Sequence, residues 1–217
     1  MKHRLIFLLS FFLFWGPCGT AGAMPVETGS FSTPELVELV TLNPDFKLDI
    51  RYATANNFVG EAVYPEARAF LQRPAAEALV RVLAAVKTRG YGLMIFDAYR
   101  PWHVTRLFWD RFPDFREYLA DPAVGSRHNR GCAVDLTLYD LSTGIAVTMP
   151  SAYDDFTERA HPEYTGGTAA ARAARDFLRK AMADEGFTVY ENEWWHFDYR
   201  NWQRYPIMDL AFSEILK

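Results

Sequence analysis

The stretch SRHNRGCAVDLTL, Ser126–Leu138, changes character at Gly131. Before the glycine the residues are polar and turn-like. After it, period-two alternation puts Ala133, Asp135, Thr137 and Tyr139 on one face of a strand and Val134, Leu136 and Leu138 on the other. A ring nitrogen at His128 and a carboxylate at Asp135 therefore stand at the two ends of a turn that runs into a strand. Such a pair is either a hydrogen-bonded structural contact or two ligands of a metal site.

The flanking sequence supplies the elements around this strand. RPAAEALVRVLAAVKTRG, from Arg73, predicts a helix: Pro74 lies in the first turn, apolar residues recur at helical spacing, and Gly90 follows the end. YGLMIFDAYRP then reads as a buried strand stopping at Pro101. A second helical region runs from Trp102 to about Leu119 and is interrupted at Pro113. TAAARAARDFLRKAMADEG predicts another helix, capped by Thr168 and ended by Gly186. FTVYENEWWHFDYRNW is aromatic and strand-like, and FKLDIRYATANNFVG begins with strand alternation before breaking at Asn56-Asn57 and Gly60. Strands and helices mix without a strict βαβ repeat, which predicts an α+β domain.

A catalytic zinc site needs three protein ligands and an open position. His128 and Asp135 offer two, and ENEWWHF supplies His196 with Glu193 three residues before it. An acid so placed can take a proton from the attacking water. Residues three apart face opposite ways in a regular strand, so a bulge or turn has to bring Glu193 and His196 to one side. Taken singly, Glu193 is an ordinary surface acid and Trp194-Trp195 are core. His103 reads as helix surface and His161 as loop, and no HExxH helix is present. Arg100 ends an apolar strand just before a proline. It either aims its guanidinium at a carbonyl oxygen gaining charge or pairs structurally with Asp97 or another acid.

The N-terminus reads as a secretory signal peptide. Lys2 and Arg4 precede an apolar run from Leu5 to Trp15 too short to span a bilayer, and Ala21-Gly22-Ala23 forms a small-residue cleavage site. Cys18 is the rival, as a lipid anchor, but the preceding Trp15 and Pro17 are unlike a lipobox. Cleavage after Ala23 leaves 194 of 217 residues and removes two cations and no acid, taking the formal net charge from −4 to −6. The expected organisation is a signal peptide (1–23), a linker (24–33) and one domain (34–217). A mildly acidic chain without a basic run is a poor nucleic-acid partner, and no second apolar stretch is long enough to insert stably in a membrane. Cys132 is then the only cysteine left, which excludes an internal disulfide and suggests a buried thiol.

Together these stretches resemble the D-alanyl-D-alanine dipeptidases of the VanX type, zinc enzymes on the hedgehog/D-Ala-D-Ala peptidase fold. DIRYATANNFVG is similar to the family's N-terminal segment, FDAYRP to its arginine motif, SRHNRGCAVDLTL to its SxHxxGxAxD motif and EWWHF to its ExxWH motif. The resemblance covers nearly the whole mature chain and implies a small, mostly antiparallel sheet with flanking helices. It implies one zinc ion per chain, with His128, Asp135 and His196 as ligands. Glu193 is then the catalytic base, and Arg100 the stabiliser of the tetrahedral intermediate. Asp154, in MPSAYDDF, corresponds to the acid holding the substrate's ammonium group, with the adjacent Asp155 as the alternative. Ser126 corresponds to the serine near the substrate. The implied reaction is hydrolysis of D-alanyl-D-alanine to two D-alanines, in a periplasmic setting and linked to peptidoglycan metabolism. A D,D-carboxypeptidase acting on longer wall peptides and a non-catalytic zinc-bearing wall-binding module are the alternatives.

Overall fold

The structure, a computed structural model, describes residues 22–215; the signal-peptide reading and Cys18 lie almost wholly outside them. A hairpin-like pair opens the fold: β1 (Leu36–Glu38) runs antiparallel to β3 (Phe70–Gln72). Between them lie α1 (Leu39–Leu42) and the two-residue β2 (Lys47–Leu48). The chain continues through α2 (Arg73–Lys87), β4 (Tyr91–Asp97), α3 (Trp102–Arg111) and β5 (Ala133–Asp140). It ends with α4 (Ala169–Asp184), β6 (Phe187–Tyr190), β7 (Glu193–Tyr199) and α5 (Phe212–Ile215). The main sheet has the order β2-β4-β5-β7-β6 and is antiparallel except for the β2–β4 pair. This is the α+β, mostly antiparallel architecture expected.

Helix α2 starts at Pro74, whose missing N–H would be unpaired there in any case, and buries Leu79, Val82, Leu83 and Val86 at helical spacing. Helix α4 starts where the Thr168 hydroxyl accepts the N–H of Ala171 at 3.1 Å, and it buries Leu178 and Met182. Both helices pack on the sheet and on each other. Leu93, Ile95, Val134, Leu136, Leu138 and Phe197 are fully buried in the sheet. The other face of β5 is not solvated either: Asp135 and Thr137 are each 2 % exposed. Polar side chains on a buried face require partners, and this is where the site forms.

Two segments differ in detail from the sequence reading. The residues after Phe46 give only two strand residues, because the chain closes into a 3-10 turn at Arg51–Ala53. The last aromatic stretch is not one strand but a hairpin, β6 and β7, turning at Glu191-Asn192. Cys132 is fully buried, and burial pushes its thiol up to about 12, which leaves it inert as a nucleophile. No helix among the described residues is long and apolar enough to cross a membrane.

Candidate metal centre and active site

Strand register assembles the centre. Asp97 on β4, Asp135 on β5 and His196 on β7 are successive cross-strand partners in one row. An irregularity between Ile95 and Asp97 brings Asp97 into that row. A second, between Val189 and Tyr190 on β6, makes Glu193 the partner of Tyr190, and the Glu193 carboxylate comes within 3.8 Å of His196 Nδ1. The required departure from regular strand geometry is therefore present.

His128 reaches the row from a 3-10 turn, His128–Arg130, ended by Gly131. Gly131 has φ 65°, and a Cβ there would lie 2.4 Å from a Leu36 methyl, so the turn into β5 requires glycine. Asn129, fully buried, fixes the loop: its amide donates to Arg100 O at 2.9 Å and Thr105 Oγ1 at 2.8 Å, and its Oδ1 accepts the N–H of Ser126 at 2.7 Å. Nothing in the sequence pattern singled out Asn129.

Three buried atoms converge here. His128 Nε2, His196 Nδ1 and Asp135 Oδ1 lie 3.1, 3.0 and 3.3 Å apart pairwise. The far nitrogen of each ring is already engaged, His128 Nδ1 with Ala98 O at 2.6 Å and His196 Nε2 with Asp198 Oδ1 at 3.0 Å. Protons held at those far nitrogens leave two ring lone pairs facing each other and a carboxylate oxygen. Asp135 Oδ1 has no hydrogen-bond partner among the described residues. Acceptors packed this way call for a cation. Zinc–ligand distances of about 2.0–2.1 Å at tetrahedral angles imply donors roughly 3.3 Å apart, and the set of two imidazoles and one carboxylate suits zinc.

The charges respond to this packing. Burial opposes ionisation of Asp135, but the two imidazoles outweigh it and hold the carboxyl well below the usual range. Burial also disfavours a charged His196, yet Asp198 and Asp135 together draw its metal-free value up to about 10. Burial pushes Glu193 up to about 7, with His196 opposing and Asp135 adding to the rise. The Tyr153 hydroxyl donates to Asp135 Oδ2 at 2.9 Å, which leaves Oδ1 for the cation; sequence reading missed this tyrosine.

The centre opens into a cavity of about 300 Å³. Arg100, Asp154, Ser126 and Glu193 line it together with His128, Asp135 and His196, whereas Asp155 is not among its lining residues. Arg100 is only 9 % exposed, and the structural pair with Asp97 is present. Its Nε and Nη2 donate to Asp97 Oδ2 at 2.9 and 2.8 Å, yet the guanidinium still borders the cavity, packed over Tyr52 and Phe108. Asp154 accepts the Tyr52 hydroxyl at 3.2 Å from a left-handed backbone, φ 57°, that non-glycine residues seldom adopt. Burial, with Asp135 and Glu193 nearby, pushes its carboxyl well above the ordinary value. A cationic group in the cavity would reverse that. The Ser126 hydroxyl accepts the N–H of His128 at 3.2 Å.

Asn57 explains how the segment after β2 reaches the cavity. Its amide donates to the carbonyls of Arg51, Thr54 and Glu61, and its Oδ1 accepts from Val59 and Gly60, closing a loop that presents Tyr52 and Phe58. Phe58 meets Phe108 at 4.9 Å and Phe156 at 5.2 Å, forming an apolar part of the cavity lining. His103 and His161 lie outside the cavity lining; His103 pairs with Asp209 on the surface of α3.

A family described as D-ala-D-ala dipeptidase matches residues 32–214. The chain is 37% identical to a D-alanyl-D-alanine dipeptidase of Escherichia coli (strain K12) over 181 residues, 83% of this chain and 93% of that protein. It is 36% identical to one of Enterococcus faecium over 177 residues, 73% and 87% of the two chains. Among solved structures, the LdcB LD-carboxypeptidase is similar with a TM-score of 0.46 and 22% identity, over 78% of this chain and 69% of that one.

Proposed function

The chain belongs to the D-Ala-D-Ala dipeptidase family, and from that membership we propose that it is a zinc-dependent peptidase hydrolysing D-alanyl-D-alanine to two D-alanines. The observation that carries this reading is the convergence of His128 Nε2, His196 Nδ1 and the unpartnered Asp135 Oδ1 at the base of a cavity that also holds a second carboxylate, Glu193. His128, Asp135 and His196 would hold a zinc ion, which would supply Lewis acidity for activating water and stabilising negative charge on the peptide carbonyl.

Glu193, beside His196 but not part of the converging triad, takes the proton from the attacking water and later delivers it to the leaving amine. Arg100, braced by Asp97 through two of its nitrogens, offers its guanidinium to the carbonyl oxygen as negative charge grows there. Asp154 pairs with the substrate's free ammonium group. The substrate cation replaces the burial penalty on this carboxylate with a charge pair, which supports a preference for dipeptides over longer chains. Ser126 lies beside the first ligand on the same wall and contacts the substrate. The N-terminal sequence supports export to the periplasm.

The test is a substrate panel with zinc-loaded protein: D-alanyl-D-alanine, its N-acetyl form and a muramyl pentapeptide. D-Alanine released efficiently from the free dipeptide alone is the expected result. Efficient release from the acetylated or pentapeptide substrates makes the protein a D,D-carboxypeptidase, and no release from any of them leaves a zinc-bearing binding module.

A further inference from the structure

We propose that Asp198 is a positioning residue for the metal centre, fixing the orientation and tautomer of His196 so that Nδ1 faces the cation. His196 and Asp198 are two apart on β7 and so project from the same face of the strand. Asp198 is itself held between two neighbours in the sheet, opposite Ala133 of β5 and Thr188 of β6. Its Oδ1 meets His196 Nε2 at 3.0 Å, while the other ring nitrogen is the one that meets Asp135 and His128.

The two imidazoles are supported differently. His128 presents Nε2, and its Nδ1 hydrogen-bonds a neutral acceptor, the carbonyl of Ala98 at 2.6 Å, with the Asp97 carboxylate farther off at 3.9 Å. His196 presents Nδ1 and is backed by a carboxylate, which both locks the ring and adds negative charge behind it. A hydrogen-bonded carboxylate behind a ligating histidine raises the ligand's basicity, and losing such a partner typically costs 10–100-fold in metal affinity or activity. Asp198 is in turn oriented from outside. Arg127 Nε lies 3.5 Å from its Oδ2, and that guanidinium packs 4.9 Å over the Trp202 ring. Arg127 is 40% exposed at its side chain, so its contribution is the smaller one.

This inference rests on the zinc reading, and metal affinity separates the two. Apoprotein of the wild type, Asp198→Ala and Asp198→Asn is titrated with zinc against a competing chelator, with circular dichroism and the apo melting temperature confirming the fold. Wild type is expected to bind one zinc. Asp198→Ala is expected to bind about 10–100-fold more weakly, and Asp198→Asn, which keeps an acceptor but not the charge, toward the lower end of that range. Cobalt-substituted Asp198→Ala is expected to show an altered visible spectrum, which a purely structural role for the acid would leave unchanged. Folded Asp198→Ala with wild-type zinc affinity and an unaltered cobalt spectrum overturns the inference, and Asp198→Leu, which also lacks an acceptor, decides it should the alanine variant not fold. Absence of zinc binding in the wild type overturns the zinc reading instead.

Discussion

Replacing Glu193 by glutamine separates binding from chemistry. The substitution keeps the size of a side chain that is only partly exposed, in a strand whose flanking residues Trp194 and Trp195 are core, so the fold and the three ligands are retained. It removes the carboxylate proposed to accept the water's proton. Loss of general-base assistance costs about 10²–10⁴-fold in turnover, or about 2.7–5.4 kcal/mol in the barrier. A base that also returns the proton to the leaving amine belongs at the upper end. The pH profile gives a second handle. Glu193 acts only when ionised, so kcat/KM rises with pH through its pKa. Burial sets that value at about 7 in the metal-free protein; a bound dication favours the carboxylate, so the acid limb of the zinc enzyme lies below pH 7. The assay is D-alanine release over a range of D-alanyl-D-alanine concentrations between pH 5 and 9, which yields both kcat and kcat/KM, alongside metal analysis of the same samples. Zinc retained with turnover down by at least about 10²-fold is the expected outcome. Turnover within tenfold of wild type refutes the assignment of the base, and zinc lost in step with activity makes Glu193 a ligand.

Further substitutions and removal of metal probe the remaining roles. Arg100→Lys keeps the charge but cannot bond Asp97 twice while also facing the cavity, so turnover is expected to fall by about 10²–10³-fold; near-normal turnover leaves the Asp97 pair as the whole of its role. Asp154→Ala is expected to lose about 2–5 kcal/mol of selectivity for the free dipeptide over its N-acetyl form, read as the ratio of the two kcat/KM values; an unchanged ratio moves the ammonium site elsewhere, with Asp155 next to be tested. Chelation is expected to abolish activity and lower the melting temperature, since zinc present at about 1,000 times its Kd stabilises by about 4 kcal/mol; His196→Ala is expected to lose both metal and that stabilisation, and full activity of metal-free protein refutes the zinc reading.

What the sequence by itself determined is local. The start and end of α2 follow from Pro74 and Gly90, and the Thr168 cap of α4 was readable because a capping hydroxyl and its N–H partner are three residues apart. The alternation of β5 was equally plain, and so were the motif residues, which resembled a family in type, order and spacing. Which residues meet was a different matter. Asp97, Asp135 and His196 share a row only because three strands adopt one register, and a one-residue slip would send each side chain to the opposite face. Arg100 had several acids within plausible reach, and only the folded chain shows Asp97 to be its partner. Tyr153 on Asp135 and Tyr52 on Asp154 carry no periodic signal at all, and the strand period that puts Asp198 on the face of His196 does not say which ring nitrogen it meets. In each, the partners are fixed by loops and strands packed together, so only the tertiary structure decided them.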